Sequence, residues 1–326
     1  MNNDNKFEQI EFNSLSDDNE CFDIAYGIDK NFQLGASVSI VSVVINNPGI
    51  NLRFHIFTDQ CDSLFKDKIK NIVDTFCCKV SIYIIDSDSF SDYPSNEYWP
   101  KAVYFRFFAF QWLSNKIEKL LYLDADVVCN NNINELLTIN FGEKIAAVSP
   151  DVERVRIKAS KRFNNLTLST SYFNSGVIYI NLKKWKENDL YNKVMTTLKD
   201  PSLDLIFFDQ DVLNLLFVNN LIFLDNKFNS IYSLDWQLKK RKSFIECVND
   251  STVFIHYAGI TKPWNTWAID NYAARPFKDV FSKSPWRKEE IFDAVTKKQK
   301  IKKSKHERKQ GKYIKSIFTL LSIYLK

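Results

Sequence analysis

Leu120-Leu-Tyr-Leu-Asp-Ala-Asp126 decides how this chain reads. Four apolar residues in a row mark a short buried strand, covered on both faces. Two carboxylates at i and i+2 come directly after it. An Asp-x-Asp pair is by itself weak, since a turn with two solvated acids has the same letters. Its place matters more. An apolar strand aimed into a carboxylate pair is costly unless a cation neutralises them. A hard divalent ion, Mn²⁺ or Mg²⁺, takes carboxylate and phosphate oxygens.

Working outward, strands and helices alternate. Residues 21–27 read as a first strand. Leu34, Val38, Val41 and Ile45 recur at helical spacing, and Asn46-Asn-Pro-Gly49 stops that helix. Residues 52–57 and 80–85 read as strands, with helices over 64–76 and 103–113. This alternation predicts an α/β domain built on a parallel sheet, whose ligands bind beyond the carboxyl ends of the strands. Further on, 145–149, 176–181 and 252–256 read as strands, and 182–198 and 211–218 as helices.

The chain has 326 residues, 45% hydrophobic and 25% charged, which suits a globular protein with a core of ordinary size. Seven glycines and eight prolines exclude repeat-turn and collagen-like architectures. No apolar run reaches the ~18–20 residues that span a bilayer. Residues 1–20 are polar and acidic and lack a signal peptide's basic and apolar regions, so a cytosolic protein is expected. Six cysteines without a C-x-x-C pair read as reduced core thiols. Three histidines exclude multi-histidine metal sites.

Charge is unevenly spread. Residues 275–326 hold 16 Lys and Arg against 5 Asp and Glu, a net of +11; the first 274 residues net −6. Such a tail predicts a polyanionic partner. It ends in 313–326, where Tyr313, Ile314, Ile317, Phe318, Leu320, Leu321, Tyr324 and Leu325 share one helical face. That segment is too short to span a bilayer but suits its surface.

Several other residues admit two readings. His256, with Gly259 and Lys262 close behind, suits a metal and a diphosphate, or is a packed core histidine. Asp209-Gln-Asp211 either caps an apolar helix or faces a sugar. Asn174-Ser-Gly176 is a turn or an amide that reads hydroxyls. Asp29 and Asn31 stand where a base and ribose would bind, or cap the next helix. Arg106 lies on an aromatic helix and either serves the site or pairs with a surface acid.

Taken in order, Ala25-Tyr-Gly-Ile-Asp-Lys-Asn31, Tyr104-Phe-Arg106, Leu121-Tyr-Leu-Asp-Ala-Asp126, Tyr172-Phe-Asn-Ser-Gly176, Asp209-Gln-Asp211 and His256-Tyr-Ala-Gly-Ile-Thr-Lys-Pro-Trp264 resemble glycosyltransferase family 8, the retaining GT-A enzymes. Within it the set is most similar to the bacterial lipopolysaccharide core glucosyl- and galactosyltransferases, over about residues 21–290. Ser284-Pro-Trp286 and its basic continuation are similar to the C-terminal extension of those members. No metal or diphosphate position departs from the pattern.

The resemblance implies a GT-A, Rossmann-like nucleotide-binding domain at 21–272, after a polar segment at 1–20. A basic, helical membrane-association extension would follow at 273–326. It implies Asp124, Asp126 and His256 as ligands of Mn²⁺ or Mg²⁺. Gly27, Ile28, Asp29 and Asn31 would hold uracil and ribose; Ala125, Gly259 and Lys262 would line the donor's path, the last two at the diphosphate. Arg106, Asn174, Asp209 and Gln210 would surround the hexose, with Asp209 and Gln210 nearest the reacting carbon. Asp151 would face the acceptor.

The implied reaction moves glucose or galactose from a UDP-sugar to lipopolysaccharide core at the inner face of the cytoplasmic membrane. An amide is a poor nucleophile, which favours same-face attack over double displacement. The competing readings are a transferase with a soluble or protein acceptor, a non-catalytic sugar-nucleotide binder, and a nucleic-acid-binding protein. The last is disfavoured because the basic excess is confined to the tail and no nucleic-acid fold signature occurs.

Overall fold

The computed structural model describes residues 8–15, 20–94, 101–239 and 242–324. Residues 1–7 and 16–19 of the polar lead segment, and Leu325 and Lys326 of the terminal one, lie outside the described residues. Eleven strands are found there: β1 (Glu8–Asn13), β2 (Phe22–Ile28), β3 (Leu52–Thr58), β4 (Lys79–Ile84), β5 (Lys119–Leu123), β6 (Val127–Cys129), β7 (Ala146–Pro150), β8 (Phe173–Asn181), β9 (Leu221–Phe223), β10 (Ser230–Tyr232) and β11 (Phe254–Tyr257). Eight form one sheet in the order β1-β4-β3-β2-β5-β8-β7-β9, and three form a second, β10-β11-β6.

The alternating first half behaves as its pattern predicts. Strands β4, β3, β2 and β5 are mutually parallel. Helices Gln33–Asn46 and Ser63–Phe76 fall where the spacing put them. Successive residues of β2 serve opposite faces: Ile24, Tyr26 and Ile28 join one core, and Ala25 joins the other. Helix Phe105–Leu113, with five aromatic residues, fills the second core.

The sheet as a whole is mixed, not parallel. β8 enters antiparallel between β5 and β7. The cause lies in its connection. Pro150 at the end of β7 pairs with Phe173 at the start of β8, so the chain leaves and returns at the same edge, as in a hairpin with a long loop. The two short helices of that loop, Glu153–Arg162 and Leu168–Ser171, stay at the strand ends and form a wall there. β1 also runs antiparallel, along β4, with Ile10 and Phe12 packed on the core. Residues 182–198 form two helices, Leu182–Glu187 and Leu190–Leu198, separated by Asp189 at φ +48°. Of the expected core thiols only Cys78 and Cys129 are buried, and Cys77 is exposed.

The basic tail is docked. Helix Lys297–Lys309 opens on a Thr296–Gln299 capping box. His306 Nε2 lies 3.1 Å from Asp235 Oδ1, and Lys302 Nζ is 2.9 Å from Asp235 Oδ2. The last helix, Tyr313–Leu321, packs through its polar side, with Ser316 Oγ 2.8 Å from Ser304 Oγ. Its apolar residues Tyr313, Ile314, Ile317, Phe318 and Leu321 face outward, each at least half exposed.

Candidate active site

The cleft lies at the carboxyl end of β5 and β2, as expected for ligands of such a sheet. Asp124-Ala125-Asp126 is held there from both sides. Asp124 N donates to Gly176 O at 2.8 Å, and Tyr257 N donates to Asp126 O at 2.9 Å. The second contact sets Asp126 beside His256. Atoms of Asp124, Asp126 and His256 able to bind a metal all lie within 4.8 Å of one another.

Two observations test whether a divalent cation fits these side chains. Asp126 Oδ1 is buried with no hydrogen-bond donor, 3.3 Å from His256 Nε2. Gly176 abuts the pair so closely that a Cβ there would lie 2.3 Å from His256 Cε1 and 3.0 Å from Asp124 Oδ2. Two carboxylates and an imidazole crowded around space reserved by a glycine suit a Mn²⁺-like ion. Burial acts to raise the Asp126 pKa, but Lys262 and His256 outweigh it and hold the group well below the ordinary carboxylate range. Burial acts to lower the His256 pKa, and Asp126 more than offsets it.

Arg106 is almost fully buried and pairs with interior acids, not a surface one. It reaches Asp124 Oδ1 at 2.8 Å and Asp209 Oδ2 at 2.9 Å, and donates to Ser175 O at 2.8 Å. Burial pushes the Asp209 carboxyl up to about 6, against the pull of Arg106. Gln210 is engaged at both ends: Oε1 accepts from Ser175 N at 3.0 Å and Asn174 Nδ2 at 3.2 Å, and Nε2 donates to Asp151 Oδ2 at 2.9 Å. Asp151 is buried, which raises its pKa. Asn174 and Ser175 lie in β8, not in a turn before it.

Lys262 does not stand free for a diphosphate. Its Nζ is bonded to Asp126 Oδ2 and donates to Tyr257 O at 3.2 Å. Gly259 has φ +106°, and a Cβ would press on Ser233 Oγ at 2.8 Å, so the loop between His256 and Lys262 needs glycine there. Asp29 caps the turn after β2, its Oδ1 accepting from Asn31 N at 2.8 Å, and still lines the cleft with Gly27, Ile28 and Asn31. Both readings of that residue therefore hold. Every residue that the resemblance assigned to donor, metal or acceptor lines this one cleft. Asp211 does not. It is fully buried, paired with Arg162, and accepts from Tyr172 OH at 2.6 Å and the amides of Ile206 and Phe207.

With this geometry in place, the family comparison is decisive. The model of glycosyl transferase family 8 matches residues 23–268, and that of the family's C-terminal region matches 272–326. The chain belongs to glycosyl transferase family 8. A lipopolysaccharide 1,2-glucosyltransferase of Escherichia coli is 37% identical over 310 residues, covering 94% of this chain and 91% of that one. A lipopolysaccharide 1,3-galactosyltransferase of Salmonella typhimurium is 39% identical, covering 92% and 89%. The solved structure of the galactosyltransferase LgtC with donor and acceptor sugar analogues superposes with a TM-score of 0.67 at 21% identity, covering 86% of this chain and all of that one. The fold is thus GT-A, and the chain is a family 8 glycosyltransferase.

Sequence reasoning missed Asn229 in this family 8 site. Its Oδ1 lies 3.1 Å from His256 Nδ1, and its Nδ2 donates to Asn174 Oδ1 at 3.0 Å. It ends a single 3-10 turn, Asn226–Asn229, with no apolar pattern to flag it. Phe292, Asp293, Val295, Thr296, Lys298 and Gln299, which also line the cleft, were missed too, because their composition reads only as tail.

Proposed function

We propose that the protein transfers glucose or galactose, with retention, from a UDP-sugar to a lipopolysaccharide core saccharide. The observation that carries this reading is the Asp124–Asp126–His256 cluster at the end of a buried strand, in one cleft that the residues assigned to nucleotide, hexose and acceptor also line. The activities named for the relatives favour glucose or galactose as the sugar and lipopolysaccharide as the acceptor.

Mn²⁺ or Mg²⁺ held by Asp124, Asp126 and His256 would supply Lewis-acid stabilisation of the leaving diphosphate. The protein's own groups do the rest. Lys262, close to that cluster, adds positive charge where the leaving group gains negative charge. Gly27, Ile28, Asp29 and Asn31 line the end suited to uracil and ribose. Arg106 ties Asp124 to Asp209 where the hexose would lie. Asp209 is tied to Arg106 and Ser175, and Gln210 is committed at both ends of its amide. Neither offers a free carboxylate for double displacement, which favours same-face attack with the leaving phosphate oxygen taking the acceptor's proton. Asp151, beyond Gln210, orients the acceptor hydroxyl.

The tail supports peripheral attachment to an anionic membrane at the cytoplasmic face. A helix with its apolar side outward, next to a lysine-rich one, presents both signals such attachment needs. No helix among the described residues is long and apolar enough to cross a membrane. Lys298 and Gln299 of that tail also line the cleft, so the tail borders the site as well.

Donor profiling decides the reading. UDP-glucose and UDP-galactose are offered with core-truncated lipopolysaccharide, with and without Mn²⁺. Metal-dependent transfer of one hexose to the saccharide is expected; transfer only to water or to a protein acceptor would overturn the acceptor assignment.

A further inference from the structure

Helix Glu153–Arg162 carries five basic residues in ten, and they divide into two sets. Two are used internally. Arg156 donates to Asp151 O at 2.9 Å and Ser169 O at 2.7 Å, and Arg162 pairs with buried Asp211. The other three, Arg154, Lys158 and Lys161, recur at i, i+4 and i+7 and so share one face. All three are exposed and line the cleft. None has an acidic partner among the described residues, although Glu153 and Asp204 line the same cleft.

That arrangement is unfavourable for the helix alone. Like charges at i, i+4 repel. Arg154 lies in the first turn, at the positive end of the helix dipole, where a cation is disfavoured. Only Lys161, in the last turn, suits its place electrostatically. Three uncompensated cations on a cleft wall concentrate a positive field inside it. A neutral sugar has no need of that field, and an anion has.

The anion is not the donor's diphosphate. Between His256 and Asp151 stand Asn229, Asn174 and Gln210, linked by successive hydrogen bonds of 3.1, 3.0, 3.2 and 2.9 Å. The basic face begins three residues past Asp151, which is the end of that hydrogen-bonded chain away from His256. With Asp151 facing the acceptor, it is the wall that an acceptor saccharide passes.

We infer that Arg154, Lys158 and Lys161 recognise phosphate groups carried by the acceptor saccharide, so that the enzyme selects a phosphorylated acceptor. The inference rests on the reading of a saccharide acceptor entering past Asp151. Lipid headgroups offer the same phosphate chemistry, but these side chains line the cleft, whereas the outward apolar face belongs to the tail.

The test uses the full chain and two probes: delipidated core oligosaccharide from rough lipopolysaccharide, as isolated and after hydrofluoric-acid removal of its phosphates. Calorimetry gives Kd for each, and transfer from the UDP-sugar is followed in parallel. Wild type should bind the phosphorylated probe about tenfold tighter or better, the scale expected of a charged hydrogen bond. That preference should shrink with added salt. The Arg154→Gln/Lys158→Gln/Lys161→Gln variant should bind both probes alike. Its melting temperature checks the fold, and single Lys158→Gln, which should lose part of the preference, serves if the triple variant does not fold. A wild type without preference, or a folded variant that keeps it, overturns the inference. So does a variant that loses binding to phosphatidylglycerol vesicles while keeping the preference, which would assign the face to lipid. If wild type prefers the phosphorylated probe yet transfers sugar to neither, the acceptor reading fails while the phosphate-reading wall stands.

Discussion

Asn229 Oδ1 faces His256 Nδ1 at 3.1 Å while its own Nδ2 donates to Asn174 Oδ1. The second bond fixes which end of the amide meets the histidine. Nδ1 therefore carries the proton that meets Asn229, and Nε2 is the ring nitrogen turned toward Asp126. Such partners fix the tautomer of a ligating histidine, and losing one typically costs ~10–100-fold in metal affinity or activity. Asn229→Ala is accordingly expected to weaken Mn²⁺ binding by that order, with the fold retained. Metal titration by calorimetry reads it; unchanged affinity would remove Asn229 from the site.

Asp124→Asn, Asp126→Asn and His256→Ala should each leave a folded protein with little transfer activity, and a chelator should do the same to wild type. The three side chains come from two separated segments that converge within one ion's reach. Transfer near the wild-type rate after metal removal would end the metal assignment.

Lys262 and a cation would share Asp126. In Lys262→Ala, Asp126 loses its ammonium partner, so the metal-free variant should melt below wild type. Saturating Mn²⁺ should narrow that gap, while KM for the UDP-sugar stays raised by about tenfold, in line with a lost charged contact. A lasting loss of stability with an unchanged donor KM would mark Lys262 as structural only.

Asp235 gives a pH prediction. Burial acts to raise its pKa, but the bonds from His306, Lys302 and Thr261 pull it down to about 2. Its ordinary value is 3.8, so its folded form is depressed and its contribution is complete above that pH. The contribution, ~2 kcal/mol from a shift of this size, should fade as pH falls from about 4 to about 2. Asp235→Asn should remove it at neutral pH and flatten the acid limb. Denaturant melts at stepped pH check this; identical acid limbs would reject it.

The strand-helix alternation of the first half was legible because burial on both faces imposes apolar runs and helical spacing. The insertion of β8 was not, since antiparallel entry depends on where a long loop returns and not on β8's own residues. β1 was hidden in a polar segment, where Ile10 and Phe12 are the strand's own apolar signal. The candidate metal cluster could be named because carboxylate pairs and a rare histidine stand out as residue types. Asn229 could not, because an asparagine gains its role only from what the fold sets beside it. The tail's composition announced a lysine-rich segment but not its attachment through Asp235, whose partners are 67 and 71 positions away.

The outward face of helix Tyr313–Leu321 has a practical consequence for anyone handling the purified chain. In water, Tyr313, Ile314, Ile317 and Phe318 form a sticky strip rimmed by lysines, and contiguous apolar strips of this kind seek cover. Without lipid, the nearest equivalent cover is the same strip on another copy. Pairing that strengthens with protein concentration and disappears in mild detergent would then be a solvent artefact. On the membrane attachment proposed above, its appearance on a sizing column would report a missing bilayer, and not a quaternary structure.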